Sequence, residues 1–342
     1  MKLFSFVLLL SLSSVSFAQN KLASEPIPLR EVSSSAIDLP TYTGTYFPIR
    51  CDTDGNIFAG KYTGPDDANP MVKIAPDGKI KATYTLNEPD QDRDQPTTFF
   101  VNADGDVYRL YRTNAGQKNM IAKFGKNGEV RSKVTLEAKF DFGGGFGVFK
   151  NGEFLLSTFK DSNDQEIEPY NAVFDSSGKL VKEVVLEGDA AIVAKVKNGE
   201  TLDPYSQDAG RKRNTSITFG AVVAATDGNL YILRKTSPAE IYVVSPSGEV
   251  VRKFSVKSDE WVLMPSDIFE KDGRLAVVFN SWGRPSQIIS EAVILDSKTG
   301  EIQRVFDIHR DIAAAVACYD GKDGFTAIGT EEFKPVFRHL AP

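Results

Sequence analysis

The sequence predicts an all-β fold, a six-bladed β-propeller of four-stranded antiparallel blades, on three observations. An Asp/Asn-Gly turn recurs at intervals of about fifty residues, the period of one propeller blade. Each such turn joins two short runs rich in aromatic and β-branched residues, and a second glycine turn follows each of the first five. The last unit is one strand short, and an alternating segment near the N-terminus can supply it.

The first hairpins are written most plainly in Asp52-Thr53-Asp54-Gly55-Asn56, Asn102-Ala103-Asp104-Gly105-Asp106 and Thr226-Asp227-Gly228-Asn229. Their turn glycines are read as Gly55, Gly105, Gly152, Gly228, Gly273 and Gly324, and those of the second hairpins as Gly78, Gly128, Gly178, Gly248 and Gly300. A tight hairpin needs a residue at positive φ, which a Cβ resists. The sixth unit shows three strands, Ala314–Cys318, Phe325–Gly329 and Pro335–His339. Residues 28–39, with the alternation Ser35-Ala36-Ile37-Asp38-Leu39, are expected to complete it and close the ring.

From Gly152 to Gly228 the interval is 76, so blade four is preceded by an insertion around 187–219. An Ala/Val-rich piece, Ala190–Val196, and the polar stretch Asn198–Ser216 make a short helix or a flap across one face the expectation.

Residues 1–18 read as a secretory signal: Lys2, the apolar run Leu3–Leu12, then small residues at Ser16 and Ala18, with cleavage expected after Ala18. The apolar run is shorter than the roughly 20 residues that span a bilayer. A single propeller domain, 19–342, is thus expected in the periplasm or outside the cell, as a monomer without a membrane anchor. The 40 Lys and Arg against 46 Asp and Glu give −6, or −7 without Lys2. Acids and bases are interspersed, and Arg211-Lys212-Arg213 is the one dense basic cluster, so no nucleic-acid partner is expected. Asn214-Thr215-Ser216 is a sequon with meaning only in a eukaryotic secretory pathway.

The Asp-x-Asp-Gly-Asn turn at 52–56, followed by an apolar strand and by Pro76-Asp77-Gly78-Lys79, resembles the six-bladed propellers of the NHL-repeat and TolB-like superfamily. The resemblance covers nearly all of residues 19–342 and implies the architecture; function sits in grafted sites. More distantly it implies the calcium-dependent lactonases of the senescence-marker-protein/gluconolactonase group, and lyases that use histidines. Only His309 and His339 are present, both read as falling in the last blade region, with two cysteines in all. A histidine site drawn from several blades and a zinc centre are therefore not expected. No G-x-S-x-G elbow occurs.

Two functional readings remain. The first is a non-catalytic binding or scaffold propeller that engages a protein, peptide or small-molecule ligand on its channel face and needs no cofactor. The second is a calcium-dependent hydrolase, for which the resemblance implies oxygen ligands such as Glu331, Asn280, Asp267 and Asp141. The acidic turn clusters at 52–56 and 104–106 lack an EF-hand frame and read as turn chemistry. Gly143-Gly144-Gly145 precedes no helical pattern and reads as an inter-blade connection, not a phosphate cradle.

Aligning blades on their first turn glycines brings Lys61-Tyr62, Tyr111-Arg112, Thr158-Phe159, Arg234-Lys235, Phe279-Asn280 and Thr330-Glu331 to one register, aromatic and basic, at the channel face. Arg93, Trp261, Trp282 and Arg284 lie in loops around it. The candidate ligand-binding residues are therefore Arg93, Arg112, Arg234, Trp261, Asn280, Trp282 and Arg284, Trp and Arg being the types that most often carry binding energy. The competing reading packs these aromatics between blades. Cys51 and Cys318 fall in the innermost strands of the first and sixth blades, neighbours across the closure, where an oxidising compartment leaves a disulfide or two buried thiols as alternatives.

Overall fold

The structure is a computed structural model that describes residues 25–38, 45–61, 70–91, 98–137, 141–159, 169–187, 222–234, 238–258, 263–281, 288–309, 311–312, 314–332 and 334–342. The expected leader, and most of the insertion expected at 187–219, lie outside the described residues.

The N-terminal segment gives β1 (Ile27–Pro28) and β2 (Arg30–Ala36). Blade one is β3 (Thr45–Cys51), β4 (Ile57–Lys61), β5 (Met71–Ile74) and β6 (Ile80–Tyr84). Blade two is β7 (Thr98–Val101), β8 (Val107–Arg112), β9 (Asn119–Phe124) and β10 (Val130–Thr135). Blade three is β11 (Asp141–Val148), β12 (Phe154–Phe159), β13 (Pro169–Phe174) and β14 (Leu180–Glu183). Blade four is β15 (Val222–Ala224), β16 (Leu230–Arg234), β17 (Ala239–Val244) and β18 (Val250–Val256). Blade five is β19 (Met264–Lys271), β20 (Arg274–Asn280), β21 (Ile288–Asp296) and β22 (Ile302–His309). Blade six is β23 (Ala314–Tyr319), β24 (Phe325–Glu331) and β25 (Lys334–Ala341), with β2 as its fourth strand.

The sheets pair antiparallel in sequence order, so the chain is a six-bladed β-propeller as expected. Inner strands β3, β7, β11, β15, β19 and β23 lie side by side in that order, and β23 lies beside β3 again. Turn chemistry explains the repeat. The Asp52 carboxylate accepts the backbone N–H groups of Asp54 and Asn56 at 3.1 and 2.9 Å, and Asp175 accepts those of Ser177 and Lys179 at 2.8 and 3.1 Å. A short acidic side chain thus satisfies the donors that a tight turn turns away from the ladder.

Middle strands are buried on both faces, as in Leu230–Arg234, because each blade is sandwiched between two others. Outer strands such as Leu180–Glu183 are exposed. Among the described residues the apolar interior falls into four clusters, the largest running through blades two to five and the smallest between blades six and one.

Closure takes the expected form with two differences. The added strand is β2, Arg30↔Ala341 to Ala36↔Val336, within the expected 28–39 but taking only Ser35 and Ala36 of the alternating stretch at 35–39; an outer strand facing solvent needs no apolar alternation. Before it, β1 pairs parallel with β22 and widens blade five to five strands, and Leu29 is buried where the segment crosses over. At the other end, the Asp38 N–H donates to the Gly78 carbonyl at 2.9 Å. A Cβ on Gly78, at φ +83°, would collide with the Ala36 carbonyl oxygen; Gly128 meets Thr83, and Gly178 meets Thr135, in the same way. β2 therefore occupies the place in blade six that β6 and β10 occupy in theirs.

In blade six the left-handed turn residue is Gly321, at φ +88°, not Gly324. The Gly324 N–H donates instead to the Asp320 carboxylate at 3.1 Å, closing the turn that Gly321 makes.

Candidate functional site

Connections from one blade to the next and those between second and third strands gather on one face. The candidate residues Arg93, Trp261, Trp282 and Arg284 lie outside the described residues. Arg112, the last residue of β8, is half-buried, and its guanidinium donates to Gln117 Oε1 at 2.8 Å across the following loop. Asn280 ends β20 half-buried, its Oδ1 accepting the Ser290 hydroxyl at 2.6 Å.

Arg234 ends β16 almost fully buried. Its guanidinium stacks on the Tyr242 ring, 5.1 Å from the centroid, and donates to the Glu187 carbonyl at 2.7 Å. The Tyr242 hydroxyl shares its one proton between the same carbonyl at 3.1 Å and the Glu240 carboxylate at 2.7 Å. Lys253 pairs with the Glu187 and Glu240 carboxylates at 2.6 and 2.9 Å. Burial pushes the Tyr242 hydroxyl up to about 12. The Lys253 ammonium is held above its ordinary value by Glu187 and Glu240, against the opposing effect of its burial. This network fixes the residue from which the inserted stretch departs. Tyr111, Thr158 and Phe279 of the same register are buried in or between blades, while Thr330 and Glu331 are exposed. Which of two adjacent residues faces the channel depends on strand tilt, and no sequence register reports that.

The channel itself is closed at one level. Arg50 of β3 and Asp267 of β19 form a two-point ion pair, Nη1 to Oδ2 at 2.8 Å and Nη2 to Oδ1 at 2.7 Å, with side chains only 6% and 4% exposed. Blade six lies between these blades, so the pair reaches across the ring interior. The guanidinium also stacks over Phe269 at 5.2 Å and donates to the Val222 carbonyl of blade four, opposite blade one, at 3.5 Å. The Ile268 N–H gives Asp267 a further bond at 2.8 Å. The pair was legible in principle, because opposite charges in two innermost apolar strands need each other once water is excluded.

Bulges aim these residues. Register slips in β3 between Tyr46 and Arg50, in β19 between Pro265 and Asp267, and in β23 between Val316 and Cys318. Arg50, Asp267 and Cys318 each directly follow an inserted residue, the local device that redirects a side chain out of its alternation. Cys318 is thereby set against Cys51, and the two form a disulfide with Cα atoms 5.4 Å apart, between the inner strands of blades six and one.

Among the described residues, the oxygen donors considered for calcium are placed as follows. Asp267 has both oxygens on a guanidinium, Asn280 is bonded to Ser290, Glu331 is exposed on blade six, and the Asp141 side chain lies outside the described residues. Among the described residues no three His, Cys, Asp or Glu side chains group as a metal site would require, and no helix is long and apolar enough to cross a membrane.

Fold and site together define the class: a six-bladed β-propeller whose axis is stopped by a buried ion pair and whose closure is covalently joined. No family model matches the chain, and no curated protein matches it in sequence. Among solved structures it is similar to an exported protein of Bacteroides fragilis, at 9% identity and TM-score 0.50 over 91% of this chain and 94% of that one. It is similar to the WD40 domain of Neurospora crassa Pan2 at 10% identity and TM-score 0.50 over 93% and 97%. A catalytically inactive virginiamycin B lyase of Staphylococcus aureus matches at 17% identity and TM-score 0.46 over 89% and 83%. At such identities the likeness is one of fold alone.

Proposed function

We propose that this chain is an exported, non-catalytic binding propeller of the NHL-repeat and TolB-like kind, which takes a protein, peptide or small-molecule ligand on the face bearing Arg112, Asn280, Trp282 and Arg284. The observation that carries this reading is the Arg50–Asp267 pair. It ties blade one to blade five inside the ring, and it neutralises a carboxylate that a channel-centred metal hydrolase would use. Half-buried Arg112 and Asn280 at strand ends offer hydrogen bonds from rigid elements, which suits recognition. The leader at 1–18 and the disulfide both suit an oxidising compartment outside the cytoplasm.

Native mass spectrometry of protein isolated gently from the producing cells tests the reading. The expected result is a retained mass that is lost in Arg112→Glu and Trp282→Ala and kept in Lys298→Glu, on a turn of the opposite face. A rise in melting temperature with millimolar calcium, together with lactone hydrolysis, would replace this reading by the calcium-dependent hydrolase.

A further inference from the structure

Closure of the ring is held twice, by different chemistry at its two radii. At the outer edge it is non-covalent: β2 pairs with β25, the Ile37 N–H donates to the Pro335 carbonyl at 3.0 Å, and the Asp38 N–H to Gly78 at 2.9 Å. At the inner edge it is covalent, through Cys51 and Cys318. The outer closure is a ladder of six paired positions and an Arg338–Glu31 ion pair, all on one strand. Side chains of β2 are mostly exposed, with Leu29 and Ile37 the buried anchors flanking it. Among the described residues the core cluster beneath the seam is aliphatic, with Phe337 its one ring, whereas the cluster between blades one and two holds Phe58, Tyr84, Phe99, Tyr111 and Phe124. Aromatic side chains bury the most area, so the described seam cluster holds less apolar surface than the cluster between blades one and two.

We propose that the Cys51–Cys318 disulfide is a redox latch: a dithiol reductant of the thioredoxin class releases the seam, and β2 and blade six then open from the ring as one unit, below the free energy of global unfolding. Cys51 is the more exposed of the two residues. A thiolate of the donor attacks Cys51 Sγ, forming a mixed disulfide, and Cys318 leaves as a thiolate that takes up a proton. The donor's second thiol then displaces Cys51, leaving two protein thiols and an oxidised donor, two electrons and two protons having moved to the protein. Local opening of this kind follows the weakest cooperative unit of a structure. The latch also reaches the channel, because Cys51 directly follows Arg50 on β3. It is independent of what the face binds.

Hydrogen exchange resolved by strand, on the folded full chain with and without dithiothreitol, tests the latch, with thiol labelling to confirm that the bond has opened. Reduction is expected to speed exchange in β2 and β25 by about tenfold or more while β12, β13, β16 and β17 keep their rates. Cys51→Ala with Cys318→Ala is expected to match the reduced protein; should that variant not fold, reduced wild type alone decides. Equal acceleration in all blades, unchanged exchange in β2 and β25, or a bond that dithiothreitol leaves intact in the folded protein would each overturn the proposal.

Discussion

Arg50 and Asp267, 217 positions apart, meet inside the ring as a bidentate ion pair nearly sealed from solvent. Each stands just after a β-bulge in an innermost strand, so a local irregularity in each of two blades serves one contact across the axis. Buried pairs of this type specify arrangement more than they add stability: removing one partner strands a charge, while removing both costs far less. In a ring of similar blades, a contact between particular blades across the axis favours one closure.

Two glycines of equal φ separate strain from collision. Gly228→Ala, at φ +85° with nothing within 4 Å of the new Cβ, is expected to cost about 1–2 kcal/mol. Gly78→Ala, at φ +83° against the Ala36 carbonyl, is expected to cost that amount plus about 1–3 kcal/mol of overpacking. Urea unfolding of the two variants checks the ranking, and hydrogen exchange should place the extra loss in β2.

Where the first-hairpin turn of blade four meets β19 of blade five, two carboxylates are displaced in opposite directions. Asp227, though partly desolvated, is held below its ordinary value by hydrogen bonds from Asn229, Arg252 and Tyr231. Its stabilisation is present above about pH 4 and is lost as pH falls through the lowered value. Asp227→Asn should therefore lose less stability than wild type between about pH 5 and pH 3.

Glu270 is raised by burial, despite bonds from Thr226 and Gly273. Its contribution is complete below its ordinary value and is lost as pH rises through the raised one, so Glu270→Gln should remove a decline in stability on the alkaline side of about pH 4.5. Melting temperatures across an acidic pH series read out both variants.

Burial also raises the tyrosines. Tyr84, Tyr111, Tyr170, Tyr231, Tyr242 and Tyr319 are each pushed up to about 12 by desolvation, and Tyr108 is raised as well. The chain has 11 tyrosines and six are held at about 12, so at most five phenolates should form reversibly by around pH 11. The remainder should ionise only as the protein unfolds, because the folded state holds those protons through that range. Phenolate absorbance followed alongside circular dichroism measures both events.

Turns and strands were legible in the sequence because their causes are local: an acidic side chain capping a glycine turn needs no knowledge of the ring. The closing strand was legible by strand count, since the sixth unit stops at three. What escaped depends on three dimensions. β1 pairs with β22 in a blade that already has four strands, so nothing in the count asks for it. Arg234 was read as a face residue, yet it is buried against Tyr242 and Glu187, because the register does not report which side chain turns inward. Gly324 was taken as the turn residue by its spacing, whereas the bond from its N–H to Asp320 assigns the turn to Gly321. The resemblance implies Asp267 as an oxygen ligand, but it pairs with a cation four blades earlier in the chain.

A double-mutant cycle on Arg50 and Asp267, measured by urea unfolding, tests the closed axis most directly. Arg50→Met and Asp267→Leu are each expected to cost about 3–5 kcal/mol, and the double variant less than their sum by about 1.5–3 kcal/mol. Additivity within about 0.5 kcal/mol would mean that the two side chains do not meet across the ring, and would contradict the account.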